Sequence, residues 1–583
     1  MEFKRFIKQA GCALVCVTML AACSDNEGTN TNSTSSELTS STSAGASNSS
    51  EAKTASLDYV DQMDKTKIMS FSINVDEAKW KEMLEKASEE EYISADVTIN
   101  GTTIKNVGIR PKGNSSLMKV VQNDKTDRFS FKIKFDEYVD GQTWLGLDQI
   151  VINNMDADNS YLKEYLSYDI MSSIGVDAPL YAFADISVNG KAWGFYLAVE
   201  VLDSAYLDRT QEGEGELYKP NNDNGMMGMG GGNFKAPNGE GMPEMPNGED
   251  MPMLDMKNMP EMPADMENMP AFPADMQPPA EGDGNGGRGA GGFGGRGGMN
   301  GAGNGVSLVY SDDNIESYSA IFDNAETKTT EEDHARVITA LKNLNAGTDL
   351  EKYIDVDAVL KYFAAHTVVV NMDSYTANMA HNYYLYENEG QLSILPWDYN
   401  LAFGGFMSGN ASDVVNQAID TPVSGVTLEE RPLLGKLLEV PEYKEQYHNY
   451  LQEIVDNYFA NGKFEQTVSN LNQLTSEHVK NDPTSFTTFD AYSKAVAELT
   501  KLGKLRVESI QGQLDGTIPS TTEGQKADKS KLIDASPVDL TKIGNMGKGM
   551  GGGRGGLGER PAGTDSGAKS QQAQSDQKQT DKQ

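Results

Sequence analysis

From Ile68 to Val75 (IMSFSINV) apolar and polar residues alternate, the period of a strand with one buried face, and Asp76 to Ala87 brings Trp80 and Met83 to one side of a helix. Ala95–Ile99, Asn100-Gly101 and Thr103–Ile109 form a hairpin signal, because an Asn-Gly pair suits the tight turn between antiparallel strands. Ser130 to Phe135 places Phe131, Ile133 and Phe135 on one face of a strand and Lys132 and Lys134 on the other. Asn159 or Ser160 caps a predicted helix through Ile174, closed by Gly175. A second hairpin follows from Ala182 to Val199 around Asn189-Gly190. Beyond residue 306 the period lengthens: helices are predicted near Thr330–Leu344 and Val356–Val370, then a hairpin (Tyr383–Tyr386 and Leu392–Leu395). A helical stretch follows from Arg431 to Leu514, with Leu433, Leu437, Tyr443, Tyr447, Leu451 and Ile454 three or four apart. A β-rich half followed by a helical half predicts an α+β protein.

Three stretches break this patterning. Met1 to Cys23 carries Lys4, Arg5 and Lys8, an apolar run, then Leu20-Ala21-Ala22-Cys23, which predicts a bacterial lipoprotein signal with Cys23 as the lipidated residue. Residues 24–56, rich in Ser and Thr, read as a flexible tether, so the folded part is expected on the bacterial cell surface, membrane-anchored and facing the exterior. Residues 221–305 turn to Gly, Pro, Met and acid, with Met253, Met256, Met259, Met262, Met266 and Met269 interleaved with prolines that exclude an amphipathic helix. Clustered thioethers suit Cu(I), but a disordered insertion has the same composition. Residues 516–583 read as a disordered tail, leaving folded segments at 57–220 and 306–515.

Charge and cysteine usage narrow the classes further. A formal charge of −37 disfavours nucleic acid as a partner. Cys12, Cys16 and Cys23 all lie in the signal, so neither a disulfide nor a cysteine zinc site is expected after it. Five histidines and no obvious sequence neighbour to orient His381 disfavour a His-based triad or zinc site, and His381 is expected to pack or hydrogen-bond.

The chemistry concentrates between Val368 and Phe406, where Asp and Asn sit at the ends of apolar elements. In protein kinases a loop Asp takes the substrate proton, an Asn downstream holds a metal, and an Asp after a hairpin holds the metals that bridge the phosphates. Asp373 to Asn378 has the D-x-x-x-x-N spacing and Asp398 follows the predicted hairpin. By the same analogy Lys134, or alternatively Lys132, is the strand lysine for the nucleotide, and Glu164 its helical partner. Arg110-Pro-Lys-Gly113-Asn114-Ser115-Ser is a candidate phosphate loop, Glu200 to Asp203 a hinge for adenine, and Lys219 a further phosphate contact.

Asn382-Tyr-Tyr-Leu-Tyr followed by Pro396-Trp-Asp-Tyr-Asn-Leu-Ala-Phe-Gly resembles the CotH family of spore-coat-protein-H-like proteins. The resemblance implies a two-lobed atypical kinase fold that transfers phosphate from ATP, with Mg²⁺ or Mn²⁺, to secreted or surface proteins. It also implies that the Asn beside the Tyr-Tyr-Leu-Tyr strand is a metal ligand; Asn382 is preferred to Asn378 because it directly precedes that strand. Asn400 stands where many relatives have a second Asp, so a carboxamide replaces a charged ligand. Two alternatives remain: a catalytically silent scaffold of the cell surface or spore coat, and a metal-binding surface protein using the Met-rich insert.

Overall fold

The computed structural model describes residues 57–221 and 305–546; Cys23, the tether, nearly all of the Met-rich insert and residues 547–583 lie outside the described residues. Seven strands close into a barrel: β1 (Met69–Asn74), β2 (Ile93–Ile99), β3 (Thr102–Lys112), β4 (Ser130–Lys134), β5 (Gln149–Asn153), β6 (Tyr181–Val188) and β7 (Lys191–Glu200). Their spatial order is β1-β2-β3-β4-β5-β7-β6, and the parallel pairing of β6 with β1 completes the ring. Asn100 and Gly101 both take left-handed φ (48° and 87°), as the predicted two-residue turn requires.

Alternation along the strands sorts side chains into two cores. Phe131, Ile133, Ile150 and Ile152 fill the barrel with Val97, Val107 and Ile109, and α1 (Glu77–Glu85), capped by Asp76, lays Trp80 and Met83 on this core. β3 passes through Gly113 into α2 (Ser115–Val121). The outer face of β5, β6 and β7 is apolar as well: Val151, Tyr181, Phe183, Leu197 and Val199 pack with α3 (Lys163–Ser173) in a second core shared with the helical half. α3 begins at Lys163, a few residues after the predicted cap, and Gly175 ends it at φ 79°.

In the helical half, β9 (Tyr383–Asn388) pairs with β10 (Gln391–Pro396) and with β8 (Glu216–Tyr218), so the stretch before residue 220 gives a strand to the second sheet. α4 (Ser204–Thr210) follows β7, and around this sheet lie α5 (Glu331–Ala346) and the mostly buried α6 (Val356–Val369). The chain continues through α7 (Pro432–Leu438), α8 (Pro441–Ile454), α9 (Lys463–Asn481) and α10 (Phe489–Leu514). The expectation of a disordered tail from residue 516 is corrected: α11 (Thr522–Ala527) and α12 (Leu540–Ile543) are formed, and Ile518, Ala535, Val538, Leu540 and Ile543 are buried. These apolar residues are too sparse to give a helical period, and each packs singly on the helical half. Among the described residues no helix is long and apolar enough to cross a membrane.

Arg128 and Asp482 tie the barrel to the helical half by an ion pair of 2.8 Å between two fully buried side chains. The guanidinium also donates to the Asn154 carbonyl at 3.1 Å, to Thr484 Oγ1 at 2.9 Å and to the Phe195 carbonyl, and faces the Tyr196 ring at 4.4 Å. Removing one partner leaves the other charge buried and uncompensated. Asp482→Ala is expected to lower stability by about 3–5 kcal/mol in urea unfolding; a loss under about 1 kcal/mol contradicts this role.

Candidate functional site

α6 delivers the chain to the site. It ends at Val370, whose φ of 52° is rare for a β-branched residue, and this left-handed turn sends Asn371 inward, where it is 1% exposed. The Asn371 Oδ1 accepts from the Asp373 N–H at 3.1 Å, and its Nδ2 faces the Asp398 carbonyl at 3.5 Å. One buried carboxamide therefore links the two acidic loops. Behind it, His366 on α6 contacts Tyr399 (2.9 Å), Thr376 (3.0 Å) and Ser374 (3.1 Å), and Arg431 donates to the Tyr375 and Ala377 carbonyls. The loop is thus held from its buried side.

Asp373 faces outward with two partners: His381 Nε2 lies 2.5 Å from one carboxylate oxygen, and Asn382 Nδ2 donates to the other at 3.0 Å and to the Asp373 carbonyl at 2.9 Å. Asn382 takes a left-handed φ of 56°, and its Oδ1 accepts no hydrogen bond from the described residues. Asp398 also has a left-handed φ, 59°. Its N–H donates to the Tyr168 hydroxyl (3.1 Å), which donates to Glu164 (3.2 Å), while Asn153 gives Glu164 two further bonds of 3.1 Å. Burial raises the proton affinity of the Asp398 carboxyl and the nearby Asp373 charge adds to it, against the pull of Lys112, Lys219 and His381. Burial followed by Asp398 pushes Glu164 up to about 7. Asp398 thus feels a second carboxylate on either side, Asp373 and Glu164.

Cations face them across the sheet. Register sets Arg110 opposite Lys132 and Lys112 opposite Ser130, on the barrel's outer face. Lys112 Nζ donates to Asn153 at 3.3 Å and lies 5.8 Å from the Trp397 ring. Lys219, just past β8, lies 5.0 Å from the same ring and 5.4 Å from Tyr384. Burial, reinforced by Lys112 and Lys132 against the pull of Glu326 and Asp398, pushes the Lys219 ammonium down to about 8. Lys132 is likewise lowered, by burial first and then by Arg110 and Lys112. Crowded, partly dehydrated ammonium groups favour an anion.

The predicted residues divide between this site and other places. Asp373, Asn382, Asp398, Glu164, Lys132 and Lys219 come together. Lys134 does not: it lies two register pairs further along β4, opposite Gly108, and pairs with Glu137 (3.2 Å) and Asp136, not with Glu164. Arg110 is taken up by Glu90 and stands over the Tyr92 ring. Gly113, at φ 129°, makes the turn into α2, with Asn114 at its cap position and Ser115 its first residue. Asn378 is exposed beside Gly425, and Asn400 donates to the Asp156 carbonyl at 3.2 Å. The supposed hinge is occupied, since Glu200 binds Arg209 and Tyr59 and Asp203 caps the helix Ser204–Thr210. Sequence reasoning missed Lys112, Asn371, Asn153 and Tyr168; His381 makes the hydrogen bond expected of it, to Asp373. The alternation Arg110-Pro-Lys112 on a strand paired with Lys132 was the available signal for Lys112.

Among the described residues no group of three His, Cys, Asp or Glu is placed to hold a metal alone. Asp398 and the Asn382 Oδ1 are hard oxygen donors, and neither the Asp398 carboxylate nor that oxygen accepts a hydrogen bond from the described residues. Each is an oxygen donor of the kind that Mg²⁺ or Mn²⁺ takes. Two cavities of about 690 and 640 Å³ lie elsewhere, lined by none of these residues.

An α+β protein that brings acids and carboxamides from two loops against barrel-borne lysines has the parts of a site for a cation and an anionic ligand. The model of the CotH family, described as CotH kinase protein, matches residues 109–261 and 296–510, most of the chain, and the protein belongs to that family. It is 21% identical over 354 residues to the inner spore coat protein H of Bacillus subtilis strain 168, covering 59% of this chain and 72% of that protein.

Burial pushes the His366 imidazole down to about 4 from its ordinary 6.5. Between these values the unfolded chain binds a proton that the folded chain refuses, so stability falls as pH drops from about 6.5 to 4, by about 3 kcal/mol from this group. Urea midpoints of wild type and His366→Gln are expected to converge over that window; parallel pH profiles contradict the assignment.

Proposed function

We propose that the protein is an ATP-dependent protein kinase with a two-lobed kinase-like architecture, transferring the γ-phosphate to hydroxyls of secreted or surface proteins. The observation that carries this reading is the meeting of Asp373 and Asp398 through Asn371, opposite Lys112, Lys132 and Lys219. In this reading the lysines hold the triphosphate, and Asp398 with Asn382 holds the divalent cation, which supplies charge neutralisation at the phosphates. Asp373 orients the acceptor hydroxyl and takes its proton as the new P–O bond forms and the bond to the β-phosphate bridging oxygen breaks. His381 and Asn382 fix the Asp373 carboxylate for that task.

Glu164 acts at one remove. Its partner is not Lys134; it reaches Asp398 through the Tyr168 hydroxyl and lies beside Lys112, which replaces the strand lysine expected from kinases. In this reading the acceptor protein belongs to the cell surface or a coat layer, which the likeness to an inner spore coat protein and the lipoprotein-like stretch before Cys23 support. The same name favours a second reading, a coat scaffold without catalysis, and Asn400 in place of a second acid supports it.

Transfer assays decide between the two. With radiolabelled ATP and Mn²⁺, the full chain is expected to label itself or an added acidic or basic protein. Asp373→Ala is expected to slow labelling by about 10²–10⁴-fold while nucleotide binding persists, because the residue acts at the acceptor and not at the phosphates. Undiminished labelling by Asp373→Ala contradicts its role, and no labelling by wild type favours the scaffold.

A further inference from the structure

Residues 532–546 run as a strap from the helical half back to the site, beyond residue 510, where the match to the family model ends. At its start the Ile533 N–H and carbonyl bond the Asn416 side chain at 2.9 and 3.0 Å. At its end the Ile543 carbonyl accepts from the Asn159 N–H at 2.9 Å, and the Met546 N–H donates to the Gly405 carbonyl at 2.7 Å. Gly405 follows Asp398 in the same loop, and Asn159 lies just before α3, which carries Glu164.

The clasp between these points is Lys163. Its side chain is fully buried, and its ammonium donates to the Gly544 carbonyl at 2.5 Å and to the Ala157 carbonyl at 3.0 Å; among the described residues no carboxylate forms an ion pair with it, the Asp158 and Asp156 charges acting from further off. Gly544 has φ 96°, and a Cβ there would stand 2.6 Å from the Ala157 oxygen, so only glycine lets the strap approach this closely. A buried ammonium held by backbone carbonyls is lost at high cost once one of them leaves.

These contacts close a ring. Lys163 precedes Glu164, Glu164 joins Tyr168, Tyr168 joins the Asp398 N–H, and the loop after Asp398 returns to the strap at Met546. We infer that Lys163 is a positioning residue which, by gripping the Gly544 carbonyl, locks the strap and so fixes Glu164 relative to Asp398. The ring itself is independent of the kinase reading; its use in aligning a nucleotide site rests on that reading.

The test uses the full chain with Lys163→Met, Gly544→Ala, a deletion of residues 532–583 and a control deletion of 547–583. Amide hydrogen exchange is read at 163–168 and 398–406, and ATP binding with Mn²⁺ by thermal shift. Lys163→Met, Gly544→Ala and the longer deletion are expected to unfold cooperatively with barrel strands protected as in wild type. Exchange at 398–406 is expected to quicken at least about tenfold, as local opening of that loop requires. A synthetic peptide of residues 532–546 is expected to restore protection to the longer deletion, and the control deletion to match wild type. Wild-type exchange at 398–406 in both Lys163→Met and Gly544→Ala overturns the inference; if one variant does not fold, the other and the longer deletion decide. Faster exchange together with an absence of ATP binding by wild type leaves the positioning role standing and removes the kinase reading instead.

Discussion

The Asn371 carboxamide is the interaction on which the site depends. Two acidic loops separated by a hairpin repel one another, and a neutral buried group bonded to both backbones sets their spacing without adding charge. A carboxylate in its place would add a further negative charge beside Asp373 and Asp398, and an aliphatic residue would leave the Asp373 N–H without its acceptor. The neighbouring backbone is strained in the same service: Val370, Asn382 and Asp398 all take left-handed φ, a conformation that persists only where surrounding contacts impose it. His366 and Arg431 supply those contacts from the buried side of the loop.

The charge arrangement follows from the same constraint. Burial and mutual repulsion raise the proton affinity of Asp398 and Glu164, while burial and crowding lower that of Lys132 and Lys219. Each group is held away from the state it prefers in water, so a cation on the acidic side and an anion on the lysine side relieve both sets together. An ordinary structural salt-bridge network would pair the two sets directly, as Arg128 pairs with Asp482. Here no ion pair joins the two sets among the described residues: Tyr168 and Asn153 bond Glu164, and the Trp397 ring faces Lys112 and Lys219.

Much of the fold was legible because its signals are local. The Asn-Gly turns, the alternation of Phe131, Ile133 and Phe135 against the lysines, and the helical period of Val356–Val370 each lie within a short window, and each appears where the pattern placed it. The parallel closure of β6 on β1 joins residues more than a hundred apart and leaves no local trace. The choice between Lys132 and Lys134 was a matter of register, which sets Lys132 beside Arg110 and carries Lys134 away to Glu137. The packed tail escaped notice because Ile518, Val538, Leu540 and Ile543 are buried singly, and the partner of His381, though not its hydrogen bonding, because Asp373 lies across a loop of left-handed turns.

Kinase activity requires that the loops of Asp373 and Asp398 make one site for a divalent cation and a triphosphate. The most direct measurement is the thermal shift of the full chain with millimolar ATP, with and without Mn²⁺, for wild type and Asp398→Ala, since a ligand that binds only the folded state raises its apparent stability. Wild type should gain a cation-dependent rise in Tm that Asp398→Ala lacks. An equal rise in both, or none in wild type, would contradict the account.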